Sequence, residues 1–124
     1  MTRLLVLSLA LTACGGGGDG DPTPDSPPPA NATVMSVTCD DTEAAEVETT
    51  GGFRFAPQAV TITVGQVVKF TNSAQHSVVP GASPTDPGMQ AGFNKSTCLK
   101  FTEAGTFNYK CSPHSSMTGT ITVN

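Results

Sequence analysis

Gly105-Thr106-Phe107-Asn108-Tyr109-Lys110-Cys111-Ser112-Pro113-His114-Ser115-Ser116-Met117 joins two kinds of signal in one stretch. Its first half alternates. Phe107, Tyr109 and Cys111 fall on one face, with Thr106, Asn108 and Lys110 on the other, the period of two that a half-buried strand requires. Its second half has no such period: Pro113 breaks the strand, and a thiol, an imidazole and a thioether follow on a tight loop. The strand phase points Cys111 inward, and His114 and Met117 follow at three-residue steps. Three such donors suit one soft or borderline metal ion.

The alternation recurs outward from this stretch. From Val34 onward there is no helical periodicity of useful length. Val60, Ile62 and Val64 share a face against Thr61 and Thr63, and Val68 and Phe70 alternate with Lys69 and Thr71. Leu99 and Phe101 alternate with Cys98 and Lys100, and Gly119, Ile121 and Val123 close the chain in another strand. Short strands separated by turn residues predict an all-β fold, a Greek-key sandwich or barrel of about eight strands. The expected core is Phe53, Phe55, Val60, Ile62, Val64, Val68, Phe70, Val78, Leu99, Phe101, Phe107, Tyr109, Ile121 and Val123. Pro80 to Gln90, rich in Pro and Gly, is expected to be a loop and a candidate wall for the site.

The N-terminal quarter has a different character. Arg3 precedes a short apolar run, Leu4 to Leu11, too short to span a bilayer as a helix. Leu11-Thr12-Ala13-Cys14 resembles the bacterial lipobox, which implies cleavage before Cys14 and a lipid anchor on it. Residues 1–13 are then a signal peptide, 14–30 an anchor and Gly/Pro-rich linker, and 31–124 the folded domain. At about 3.1 Å per residue such a linker reaches at most roughly 50 Å. This reading places the domain in the bacterial cell envelope, facing the periplasm or the exterior, where disulfides persist. With Cys14 lipidated, an odd number of cysteines is left. Cys39 and Cys98 are read as a disulfide, with metal ligation or free thiols as alternatives, which leaves Cys111 for other work. Cys98 should face outward with Lys100, its partner lying where the Val34–Cys39 segment passes the sheet edge.

The chain has 124 residues and a formal net charge of −4. That balance excludes a nucleic-acid binder, which needs a basic face. Asp40, Asp41, Glu43, Glu46 and Glu48 form an acidic run, read as a solvated strand-edge face or a docking patch for a basic redox partner.

Copper is the first-row ion that prefers two imidazoles, one thiolate and a weak axial thioether, and the second histidine is His76, after Val67 to Asn72. Phe55-Ala56-Pro57, Val60 to Val64, Gly65, Val67 to Asn72 and His76, then Phe101 to His114, together resemble a cupredoxin, the blue-copper family of plastocyanin and amicyanin. The likeness spans residues 53 to 123, and the two-residue gap between His114 and Met117 is similar to that of amicyanin. It implies one copper ion bound by His76, Cys111, His114 and Met117. It also implies that Ser77 and Ser112 hydrogen-bond the ligand segments together and that Asn72 braces the loop to His76. The implied function is one-electron transfer rather than enzymatic catalysis. The electron would pass through the edge of His114, at an apolar patch to which Pro113, Met117, Pro80 and Gly81 are assigned. The implied partners are redox proteins of cytochrome or copper-oxidoreductase type, met by a monomer. A copper-handling protein that buffers or delivers the ion would use the same ligands. A zinc site is disfavoured because zinc rarely takes Met. A Cys111–His114 nucleophilic dyad lacks an acid partner and an oxyanion signature.

Overall fold

Side-chain alternation becomes nine strands in the computed structural model, which describes residues 30–124. The expected signal peptide, the Cys14 anchor and nearly all of the linker lie outside the described residues. The strands are β1 (Val34–Val37), β2 (Ala45–Thr50), β3 (Arg54–Ala56), β4 (Ala59–Ile62), β5 (Val67–Asn72), β6 (Val79–Pro80), β7 (Lys95–Phe101), β8 (Gly105–Lys110) and β9 (Thr118–Val123). No helix occurs among the described residues.

Two sheets result, one ordered β1-β7-β5-β2-β3 and the other β4-β9-β8-β6. The pairs β2–β5 and β4–β9 are parallel, so each needs a crossover, and the chain alternates between sheets as a sandwich requires. The fold class is the expected one, with nine strands rather than about eight. Inward residues of both sheets meet in one core, where Tyr109 stands edge-on to Phe55 (4.8 Å between centroids) and Phe70 (5.3 Å).

Strand registers define two ends. Asn72 pairs with Lys95 and leads to the His76 loop, whereas Val67 pairs with Lys100 at the other end. Val34 pairs with Phe101. The N-terminal strand therefore enters at the end opposite the His76 loop.

Two core expectations are corrected, and Cys98, expected to face outward, proves to be covered on that face. Val64 is 49% exposed, because β4 ends at Ile62 and Val64 sits in a turn closed by Gln66 N–H donating to the Thr63 carbonyl. Gly65 takes φ +87° in that turn, a conformation that glycine adopts without Cβ strain. Phe53 is 59% exposed, because it lies in the β2–β3 turn and not in a strand. Cys98 does lie on the face opposite Leu99, but it is 1% exposed. The disulfide to Cys39 is formed and Cys98 pairs with Val37 at the sheet edge, so the N-terminal segment covers it.

The loop after β6 runs beside β8, where Asn108 N–H donates to the Pro84 carbonyl. Asp86 then accepts from Thr33 N–H, Thr33 Oγ1 and Gly88 N–H, and Met89 completes the core.

Candidate metal centre

β8 ends at Lys110, and the next residue, Cys111, keeps the inward phase and is fully buried. The loop that follows closes on itself, with Cys111 N–H donating to the Met117 carbonyl (2.9 Å) and Met117 N–H to the His114 carbonyl (2.8 Å). Lys110 pairs with Thr118 directly below, so the segment 111–117 is a short cap across the β8–β9 hairpin. Met117 is buried at 2% exposure, although loop position alone would have left it in solvent. His114 is half-buried.

His76 arrives from the other sheet. After β5 the chain turns through Ser73, whose carbonyl accepts from His76 N–H (3.3 Å) and Asn94 N–H (2.9 Å). Asn72 is buried and donates through Nδ2 to the carbonyls of Gly92 (3.0 Å) and Ala91 (3.3 Å). It therefore straps the His76 turn to the segment entering β7. Thr49 Oγ1 of β2 accepts from Ser73 N–H and ties the same turn to a third strand.

These elements bring three donors together: His76, Cys111 and His114 offer atoms that all lie within 4.8 Å of one another. Cys111 Sγ is 3.7 Å from Nδ1 of each histidine, and the two imidazole centroids are 5.0 Å apart. Ser77 N–H donates to Cys111 Sγ (3.5 Å). Ser112 N–H donates to Ser77 Oγ (3.3 Å). Ser77 thus joins the two donor segments with its hydroxyl, while Ser112 contributes its backbone amide and leaves its side chain exposed. Burial holds the pKa of His76 below its ordinary value, and the neighbouring His114 pushes it the same way. The neutral imidazole is the form that binds a metal ion.

The donors fit a soft or borderline ion: one buried sulfur, two ring nitrogens and a buried thioether on the same loop. The other close grouping among the described residues, Cys39, Glu43 and Cys98, has both sulfurs committed to a disulfide. Periodicity missed one residue here. The Phe53 ring stands edge-on to His114 (4.7 Å between centroids) and to His76 (5.8 Å). The pair Gly51-Gly52 before it marked a turn, the available sign that it is not a strand residue.

Comparison with known proteins agrees with this geometry. Residues 42–124 match the model of the family described as copper binding proteins, plastocyanin/azurin family. Plastocyanin of Scenedesmus fuscus is 34% identical over 87 residues, covering 59% of this chain and 89% of the relative. Plastocyanin A/B of Petroselinum crispum is 30% identical over 88 residues, covering 60% of this chain and 91% of the relative. Among solved structures, amicyanin from Paracoccus versutus superposes with a TM-score of 0.60 at 21% identity, over 75% of this chain and 99% of that one. At that identity the likeness speaks for the fold.

Proposed function

The chain belongs to the plastocyanin/azurin family of copper-binding proteins, and from that premise we propose that it is a tethered extracytoplasmic electron carrier. The family's members are cupredoxins, copper-binding electron carriers that work with redox partner proteins and are not enzymes. In this reading His76, Cys111, His114 and Met117 hold one copper ion, which supplies a one-electron Cu(I)/Cu(II) couple when bound. The observation that carries it is the convergence of one buried sulfur and two imidazoles from both sheets on one end of the sandwich.

Each side chain has a task in that function. Cys111, buried and accepting from Ser77 N–H, presents a thiolate and excludes water from it. His76 is held by the Ser73 turn and the Asn72 strap, so its ring keeps one orientation whichever charge the centre carries. His114, half-buried, is the donor nearest solvent and the edge through which an electron can leave to a docked protein. A site whose ligands are fixed by the fold reorganises little when one electron moves.

The tether rests on Leu11-Thr12-Ala13-Cys14 and the Gly/Pro-rich segment after it. A lipid on Cys14 would hold the domain to an envelope membrane. The first strand enters at the end remote from His76, so an anchor there would leave the donor end free for partners.

The experiment is addition of Cu(II) to the metal-free domain. The expected result is intense orange-red absorption with a small copper hyperfine splitting, lost in Cys111→Ser and His114→Ala. A colourless product, or a copper complex indifferent to Cys111→Ser, would remove the reading. Rapid electron self-exchange supports the carrier, whereas transfer of copper to an apo-acceptor would support copper handling.

A further inference from the structure

Phe53 combines two features that no other described residue combines. It is a large apolar side chain left 59% exposed, and its backbone takes φ +52°, which crowds a Cβ and is rare for an aromatic residue. The same turn contains Gly51 and Gly52, for which left-handed φ would be unstrained, yet neither adopts it. Both have open space around a would-be Cβ. The turn thus puts its ring, not a glycine, in the strained conformation. Strain of this kind persists only where surrounding contacts over-determine it, and it points toward function.

The contacts are with the two histidines. The ring lies edge-on to His114 at 71° and to His76 at 90°, the arrangement in which a positive ring edge meets a negative face. His76 and His114 come from different sheets, and Phe53 reaches both from a third element, the β2–β3 hairpin. That hairpin is itself tied to the His76 turn, since Thr49 Oγ1 accepts from Ser73 N–H. His114 is carried on a short cap at the molecular surface, and the Phe53 ring lies against its half-buried imidazole.

We propose that Phe53 is a positioning residue for the copper centre, an external wedge that holds the His114 imidazole in its donor orientation and slows loss of the ion. The inference rests on the reading that the cluster binds copper. Phe53 offers no donor atom itself; it acts through His114.

The test uses the copper-loaded protein and three variants. Phe53→Ala removes the ring. Phe53→Gly removes it and also supplies the residue that φ +52° favours. Phe53→Tyr keeps the ring. Copper release to an excess of chelator, the visible charge-transfer band and the thermal midpoint of the metal-free protein are measured for each. Release is expected to be roughly 3- to 10-fold faster for Phe53→Gly and Phe53→Ala, with a shifted band, and within about twofold of wild type for Phe53→Tyr. The metal-free Phe53→Gly protein is expected to melt above Phe53→Ala, so that stability and copper retention separate. A Phe53→Gly protein with wild-type release and spectrum overturns the proposal. So do release rates that merely follow the metal-free midpoints, since the ring would then be a structural contact. A wild-type protein that takes up no copper instead overturns the metal reading and the proposal with it.

Discussion

Burial keeps the His76 imidazole below its ordinary pKa of 6.5, and the His114 charge adds to the effect. In the metal-free protein the folded state therefore resists a proton that the unfolded chain accepts. The unfolded state binds more protons in this window, so stability rises with pH through it and falls as pH drops below about 6.5. Thermal midpoints of the metal-free protein should fall between about pH 7.5 and about pH 5, and His76→Gln should flatten that slope. Equal slopes in both proteins would assign the acid sensitivity to another group. Asp40 and Glu43 titrate in a separate window. Hydrogen bonds from Thr42 to Asp40, and from the Asp40 amide to Glu43, lower both carboxyls. Their contribution is full above the ordinary values of 3.8 and 4.5 and is lost only as pH falls below them. At this scale the donor residues were legible because their chemistry resides in residue type and spacing: a Cys, a His and a Met at three-residue steps need no fold to be noticed. Phe53 was not legible. Alternation cannot distinguish the first inward residue of a strand from a ring on a turn; beyond the Gly51-Gly52 turn sign, the left-handed φ separates them.

Among the elements, β2 shows how a functional-looking signal conceals a structural one. Ala45-Glu46-Val47-Glu48 alternates with period two, but two acids in four residues, following Asp40, Asp41 and Glu43, read first as a charged run. In the structure Val47 is buried while Glu46 and Glu48 are exposed, so the acidic run is partly the outer face of a strand paired on both sides. The expected solvated strand-edge face is right about solvent and about a strand, but β2 lies between β5 and β3 rather than at an edge. The loop before β7 is a second case. Its Pro and Gly content reads as a loop, yet it acts as a clamp. Asp86, 4% exposed, accepts from Thr33 N–H, Thr33 Oγ1 and Gly88 N–H at 2.7–2.8 Å and holds the start of the edge strand β1. A Cβ on Gly88 would overlap the Val34 carbonyl, so loop and strand are in close contact. Asp86→Ala would leave those donors without their acceptor. The expected cost is about 2–4 kcal/mol in urea unfolding, with faster amide exchange along Val34–Val37 and an unchanged copper spectrum. A loss under about 1 kcal/mol would mean that water replaces the carboxylate without penalty. Nothing in the sequence separates Asp86 from a solvated loop acid, because Thr33, the partner it holds, lies more than fifty positions away.

Over the whole molecule, charge is divided by end rather than spread evenly. The formal net charge is −4. Asp40, Asp41 and Glu43 lie around the Val37–Cys98 pairing and the Ala44 N–H to Val67 contact, toward the end away from His76. Glu46 is paired with Lys69 at 3.7 Å. At the donor end the cations are Arg54, next to Phe53; Lys95, opposite Asn72; and Lys110, next to Cys111, and they outnumber the one nearby acid of β2, Glu48, opposite Thr71. Screening over about 10 Å at 0.1 M salt makes an approaching reagent sense the end it meets more than the total. The two descriptions predict opposite slopes. If net charge governs encounter, oxidation of the reduced, copper-loaded protein by hexacyanoferrate(III), an anion, should speed up as salt screens repulsion. If the electron leaves at the His114 end, that reaction should slow down as salt screens attraction to Arg54, Lys95 and Lys110. The second outcome is expected in stopped-flow measurements between low and physiological ionic strength. Arg54→Gln with Lys110→Gln should remove most of the slope, and Glu103→Gln, in the β7–β8 turn at the opposite end, should leave it nearly unchanged. A rate that climbs with salt in the wild-type protein would place electron exit away from His114, on a face where the acidic residues dominate.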